Sequence, residues 1–138
     1  MKILQGNPPN LDKIIKAGLK PDPDKTVFTY GDTIYNPGKG IIDPLLMKHE
    51  EIHSRQQGND PDGWWDRYLK DINFRLAQEL EAYGIQYKEA EKIIKDRNGL
   101  SKLLRLLAND LSGEMYGKIL TFQEAIIKIK NAENSKPI

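Results

Sequence analysis

His49-Glu50-Glu51-Ile52-His53 is the stretch that governs the interpretation of this chain. The two histidines are the only two in the sequence, and a glutamate directly follows the first of them. On a helix, residues four apart lie on one face with Cβ atoms about 5–6 Å apart, so both imidazoles can bind one metal ion. Zn²⁺ accepts two such nitrogens at about 2.0–2.1 Å. The spacing therefore predicts a zinc site with His49 and His53 as ligands.

Glu50 is predicted to act beside the metal. It lies about 100° around the helix from His49, so it is not placed to join the histidines as a ligand. It can instead reach a metal-activated water, which is the H-E-x-x-H arrangement of zinc-dependent peptidases. The alternative is an exposed polar helix on which two histidines share a face without a metal. Chance produces this pattern in about one chain in a thousand of this composition, which favours the metal.

Composition narrows the remaining classes of protein. A chain of 138 residues has the length of one domain and can bury a core. The 21 basic and 20 acidic residues form no long basic run, so the charge pattern gives no support to nucleic-acid binding. The chain has no cysteine, which leaves histidine and carboxylate side chains as the strong metal ligands. No apolar stretch is long enough for a signal peptide or a membrane span, so the sequence predicts a cytoplasmic protein.

Strand and helix patterns predict one α+β domain over residues 1–138, with a small hairpin packed on helices. The hairpin joins two short strands at Gly31-Asp32. Asp43 as the N-cap and Pro44 at the first position predict the start of the helix that carries the histidines. The predicted elements are a strand at Met1–Leu4, a helix at Leu11–Leu19, strands at Thr26–Tyr30 and Thr33–Tyr35, a helix at Pro44–Gln57, a short helix or connector at Trp64–Leu69, a long helix from Asp71 to Arg97 that Asn98-Gly99 ends, helices at Leu100–Leu111 and Thr121–Asn131, and a loose tail at residues 133–138.

The third zinc ligand is predicted on the long helix, which offers Glu79 and Glu81. Its apolar stripe contains Leu76, Leu80 and Tyr83. At 100° per residue, Glu79 lies about 60° from the centre of that stripe and Glu81 about 140° from it. A carboxylate at the edge of the buried face is better placed to meet the histidine helix. Glu79 is therefore the predicted ligand, with Glu81 as the alternative.

The two segments HEEIH and Glu79-Leu80-Glu81-Ala82-Tyr83 together resemble the gluzincin metallopeptidases. In several of those groups the glutamate ligand opens an E-x-x-A-[D/Y] segment, and matching Ala82 to that alanine again selects Glu79. The layout of a hairpin, an active-site helix, a glutamate helix and extra C-terminal helices resembles the minigluzincins. The chain is also similar to small uncharacterised HExxH proteins of bacteria and phages. This resemblance implies a zincin-like fold and a zinc peptidase that acts on a peptide or protein.

The expected reaction is hydrolysis of peptide bonds by a metal-activated water, with Glu50 as general base and then general acid. Gluzincin helices normally carry uncharged residues where this chain has Glu51 and Arg55. A non-catalytic zinc-binding structural or interaction protein, for example a phage-related assembly component, therefore stays the alternative function. Substrate identity and oligomeric state are not predicted.

Further side chains each have two interpretations. Gln56 either hydrogen-bonds a ligand or the substrate, or it is an ordinary polar residue at a helix end. Tyr83 either stabilises the oxyanion or packs in the core, and core packing is favoured. Trp64 and Trp65 either line a binding wall or are buried between helices, and burial is favoured. The strand around Thr33–Tyr35 either pairs with an extended peptide or belongs to a plain hairpin.

Overall fold

A computed structural model describes residues 1–38 and 40–132. Within those residues the protein is α+β, as predicted, with six α-helices, one short 3₁₀ helix and a three-stranded mixed sheet. None of the helices in this part of the chain is long and apolar enough to cross a bilayer. The chain divides into two compact units, Met1–Asp71 and Ile72–Ile138. The predicted loose tail at 133–138 lies outside the described residues, and the single-domain organisation stays a prediction.

The first unit contains the sheet and the histidine helix. Its elements, in chain order, are β1 (Lys2–Gln5), α1 (Leu11–Lys16), β2 (Phe28–Tyr30), β3 (Thr33–Asn36), α2 (Pro44–Gln57) and α3 (Pro61–Lys70). In the second unit the elements are α4 (Ile72–Ile93), α5 (Arg97–Leu111), a 3₁₀ turn (Glu114–Tyr116) and α6 (Phe122–Asn131).

The sheet has the strand order β1-β3-β2. The predicted hairpin is confirmed: β2 and β3 pair antiparallel, and Gly31 in the turn has a φ of 64° that a glycine adopts without strain. β1 pairs with β3 in parallel, with Ile3 opposite Ile34. β3 is therefore the central strand. Of the two interpretations of the strand around Thr33–Tyr35, pairing with an extended peptide is excluded, because β1 and β2 occupy both sides of β3.

The histidine helix α2 has the bounds that its sequence predicts. The side chain of Asp43 accepts a hydrogen bond of 2.7 Å from the backbone N–H of Leu45, and Pro44 occupies the first turn. Gly58, with a φ of 57°, ends the helix. A new helix, α3, then begins at Pro61, so the predicted connector at Trp64–Leu69 is helical throughout. Its N-cap Asp60 accepts from the N–H of Gly63 at 3.0 Å.

In the second unit one predicted boundary is wrong. Asn98 and Gly99 were expected to end the long helix, but α4 ends at Ile93 and α5 begins at Arg97. The physical reason is Asp96, whose carboxylate accepts hydrogen bonds from the backbone N–H groups of Asn98 and Gly99 and thereby caps a new helix. The core of this unit consists of apolar side chains of α4, α5 and α6, among them Tyr87, Leu104, Leu107, Leu111 and Ile129.

Tyr30 connects the hairpin to α3, because its phenol donates a hydrogen bond to the Asp62 carboxylate. That hydrogen bond, followed by burial, raises the pKa of Tyr30 to about 12. The folded pKa lies above the unfolded value of about 10, so the stabilisation is present below about pH 10 and is lost as the pH rises towards 12. We expect Asp62→Asn to move this phenol's titration back towards pH 10, and Tyr30→Phe to remove it. Phenolate absorbance against pH measures both, and identical titrations of wild type and Asp62→Asn would contradict the assignment.

Candidate metal centre

His49 and His53 bring their Nε2 atoms close together. The two Nε2 atoms lie 3.1 Å apart, and the ring centroids are 4.8 Å apart with the planes at 79°. Two imidazole nitrogens bound at about 2.0–2.1 Å to one tetrahedral ion lie about 3.3 Å apart, so the observed spacing is close to that of two ligands of one ion. Each histidine is only 5% exposed. The two histidine side chains therefore lie side by side on one face of α2, as the four-residue spacing predicts.

Gln56 orients the His53 ring. Its Oε1 lies 2.8 Å from Nδ1 of His53. An amide oxygen can only accept, so this contact corresponds to the tautomer with the hydrogen on Nδ1 and the lone pair on Nε2, the atom close to His49. A histidine that binds a metal commonly donates its other N–H in this way, which fixes the tautomer. Of the two interpretations of Gln56, the structure shows the hydrogen bond to His53, which the sequence predicts to be a metal ligand.

The Glu50 carboxylate lies beside the two nitrogens and is 6% exposed. Its Oε2 is 3.8 Å from His49 Nε2, and its Oε1 accepts a hydrogen bond of 2.9 Å from the Thr29 hydroxyl. One ligand-type atom from each of His49, Glu50 and His53 falls within 4.8 Å of the others, so the three form a buried group able to hold a metal ion. The structure therefore confirms a possible metal site at the motif.

The hairpin is fastened to α2 and α3 by polar side chains. The Thr29 carbonyl accepts from Gln57 Nε2 at 2.8 Å and from Trp65 Nε1 at 2.9 Å. The Gly31 N–H donates to Gln57 Oε1 at 2.7 Å, and the Ser54 hydroxyl donates to the Gly31 carbonyl at 2.6 Å. These hydrogen bonds hold the backbone of β2 and of the hairpin turn against the histidine helix α2 and against α3. Sequence reasoning missed Thr29 and Gln57, because partners 28 positions apart leave no local pattern.

Aromatic rings shield the histidines on the side of α3. The Trp64 ring lies 5.4 Å from the His53 ring and stacks on Tyr68 at 4.8 Å. Trp64 and Trp65 are 7% and 8% exposed, so the favoured interpretation, burial between elements, is confirmed. Apolar rings beside buried imidazoles reduce the local dielectric constant and strengthen interactions with an ion bound there.

The two glutamates considered as third ligand belong to α4, in the second unit. Glu79 is 5% exposed, whereas Glu81 lies on the exposed side of the helix. This difference is the one that helical phase predicts, although the ligand role itself stays a prediction. Tyr83 is half-buried and packs against the core cluster of its unit, in keeping with core packing.

The ligand prediction can be tested by replacing each glutamate separately with glutamine. We expect Glu79→Gln to weaken zinc binding by more than about 10-fold, because ligand loss costs at least as much as loss of a supporting hydrogen bond. Glu81→Gln, the matched control on the exposed face of the same helix, should leave it unchanged. Zinc affinity measured by competition with a chromophoric chelator decides the matter. A larger loss in Glu81→Gln would transfer the ligand role to Glu81.

Comparison with known proteins supplies no relative: no family model, no curated protein and no solved structure matches this chain. The resemblance to gluzincins therefore depends on the motif residues alone, and membership of that family stays a prediction. What the chain itself supplies is a buried group in the first unit, His49, Glu50 and His53, that could hold a metal ion.

Proposed function

We propose that this protein is a zinc-dependent peptidase with a zincin-like fold, in which Glu50 is the general base. One observation supports the proposal above the others. The Nε2 atoms of two buried imidazoles lie 3.1 Å apart, and the buried Glu50 carboxylate lies 3.8 Å from one of them. A purely structural zinc site requires ligands only, whereas a catalytic site also requires a general base close to the ion.

The donor set fits zinc. Imidazole nitrogens with a carboxylate are the ligands of catalytic zinc sites, and the cysteine that structural sites commonly use is absent from the sequence. His49, His53 and the predicted ligand Glu79 would hold the ion. A zinc ion bound there would supply Lewis acidity towards a carbonyl and would make water acidic near neutral pH.

Glu50 would move the proton. A carboxylate has hydrogen-bond acceptors only, so it can take a proton from the attacking water and return it to the leaving amine. The Thr29 hydroxyl donates to Oε1, and Oε2 lies 3.8 Å from His49 Nε2. The oxygen on the side of the metal position is the one suited to receive the proton.

Two charged residues of the motif helix do not weaken this proposal. Glu51 and Arg55 were the departures from the gluzincin pattern, and both are exposed, on the side of α2 away from the buried histidines. Glu51 forms an ion pair of 3.7 Å with Lys48 on that surface. Their charges therefore face solvent, where they do not disturb the environment of the metal ligands.

A non-catalytic zinc-binding structural or interaction protein is the second candidate. The observation that favours it is the hairpin: β3 is paired on both sides, and Gln57 binds the Thr29 carbonyl of β2 and the Gly31 N–H of the turn. These backbone groups are not available to an extended peptide. A substrate of the proposed enzyme must therefore be held by other contacts.

The test combines metal analysis with a cleavage assay. The purified protein should contain one zinc per chain, should cleave members of a broad peptide library, and should lose that activity to a chelator and regain it with zinc. Products identified by mass spectrometry would show which bonds are cut. Bound zinc without any cleavage would support the non-catalytic candidate, and a protein that binds no zinc would contradict both.

A further inference from the structure

We propose that Thr29 is a positioning residue, whose hydroxyl sets the direction in which the Glu50 carboxylate points. The catalytic consequence of this rests on the proposed peptidase function, whereas the positioning itself does not. Thr29 belongs to β2 and Glu50 to α2, so the contact joins the hairpin to the metal helix across 21 positions of the chain. The H-E-x-x-H motif contains no residue with this role.

The hydrogen-bond geometry gives the two carboxylate oxygens different environments. Thr29 Oγ1 donates to Oε1 at 2.9 Å and lies 3.4 Å from the Glu50 backbone carbonyl. Oε2 is the oxygen 3.8 Å from His49 Nε2. A glutamate side chain has three rotatable bonds, and a donor on one oxygen selects the rotamer that turns the other oxygen towards the histidines.

The position of Thr29 is fixed by burial and by hydrogen bonds to its backbone. It is 2% exposed, and its backbone carbonyl accepts from both Gln57 and Trp65. Within the sheet it lies opposite Ile34, which is fully buried. Backbone contacts with α2, α3 and β3 therefore fix the position of the hydroxyl before any substrate is bound. Supporting contacts of this kind are what keep a reactive group within productive geometry.

The Thr29 hydroxyl also offsets part of the free-energy cost of burying the Glu50 side chain. A carboxylate removed from water requires hydrogen-bond donors to offset the lost hydration. A hydroxyl supplies one donor while carrying no charge, so it satisfies one carboxylate oxygen without adding the cation that lysine or arginine would bring. Valine at the same position would have nearly the same shape and no donor, which isolates the contribution of the hydrogen bond.

The experiment compares Thr29→Val with Thr29→Ser in the zinc-loaded full chain. Thr33→Val is the matched control, because Thr33 is a buried threonine of the same hairpin whose hydroxyl donates to Asp32 and not to Glu50. We expect Thr29→Val to lower kcat about 10- to 100-fold with KM and zinc content unchanged, as a misplaced reactive group does. Thr29→Ser should restore kcat to within about 3-fold, and Thr33→Val should resemble wild type.

A readout independent of activity completes the test. In crystal structures of the zinc-loaded variants, Oε1 of Glu50 should keep its position in Thr29→Ser and leave it in Thr29→Val. An unmoved carboxylate in Thr29→Val would overturn the proposal. Were Thr29→Val unable to fold, Thr29→Ala provides the same comparison without the hydroxyl. If the wild type cleaves no peptide, the peptidase proposal fails, while the crystal structures still decide whether Thr29 positions Glu50.

Discussion

Replacing either His49 or His53 with alanine is expected to reduce zinc affinity by more than about 100-fold, since removing a hydrogen bond to a ligand alone typically costs 10- to 100-fold. His49 and His53, whose Nε2 atoms lie 3.1 Å apart, are the only histidines in the sequence. No cysteine is present to substitute for a lost ligand. A single remaining imidazole then has only carboxylates as partners, which bind zinc more weakly than the original set. Zinc content after dialysis and competition titration measure the loss.

The control for this experiment lies within the motif. Glu51 is exposed and belongs to the surface of α2, so Glu51→Gln should bind zinc as the wild type does. Circular dichroism of the metal-free variants separates lost ligation from lost folding. Stoichiometric zinc in both histidine variants would show that the ion binds elsewhere, and the metal centre proposed at the motif would be abandoned.

Glu50→Gln is expected to lower kcat by about 100- to 10,000-fold while zinc remains bound, which is the range that a general base contributes. Glutamine keeps the size of the side chain, and its carbonyl oxygen can still accept from the Thr29 hydroxyl, but it cannot take up a proton. Because the zinc ligands are untouched, metal content should match the wild type. Steady-state kinetics on a peptide identified from the library, with zinc analysis of the same samples, provide the measurement.

Glu51→Gln is the matched control for Glu50→Gln, because each change removes one carboxylate and the two positions are adjacent. Comparing the activities of the two variants therefore isolates the contribution of the Glu50 carboxylate. Only Glu50 is buried beside the histidines. Equal activity of wild type and Glu50→Gln at equal zinc content would remove the enzyme hypothesis and leave the non-catalytic zinc protein. Loss of zinc in Glu50→Gln would instead identify Glu50 as a ligand.

Much of the local structure is predictable because the signals act over a few residues. Asp43 and Pro44 define the start of α2, Gly58 defines its end, and the observed bounds agree. Gly31-Asp32 places the hairpin turn in the same way. The failure at Asn98-Gly99 has a local cause too: Asp96 is a strong N-cap, and it outweighed the tendency of an Asn-Gly pair to end a helix.

The parts that sequence reasoning could not supply depend on long-range pairing. A short apolar segment at the N-terminus is compatible with a strand on either side of the hairpin, and only the fold shows that β1 covers the far edge of β3. Gln56 had two interpretations of equal standing until its contact with His53 Nδ1 selected one. Neither outcome is encoded in the spacing of nearby residues.

The sequence by itself determined that His49 and His53 share one helical face with Glu50 beside them, because helical periodicity is a local property of the backbone. It likewise separated the buried Glu79 from the exposed Glu81. The tertiary structure alone decided which residues support the motif: Gln56 on the imidazole, Thr29 on the carboxylate, and Trp64 against the ring. Hydrogen bonds and ring contacts between distant segments form only where packing brings those segments together, and their geometry determines what the motif can do.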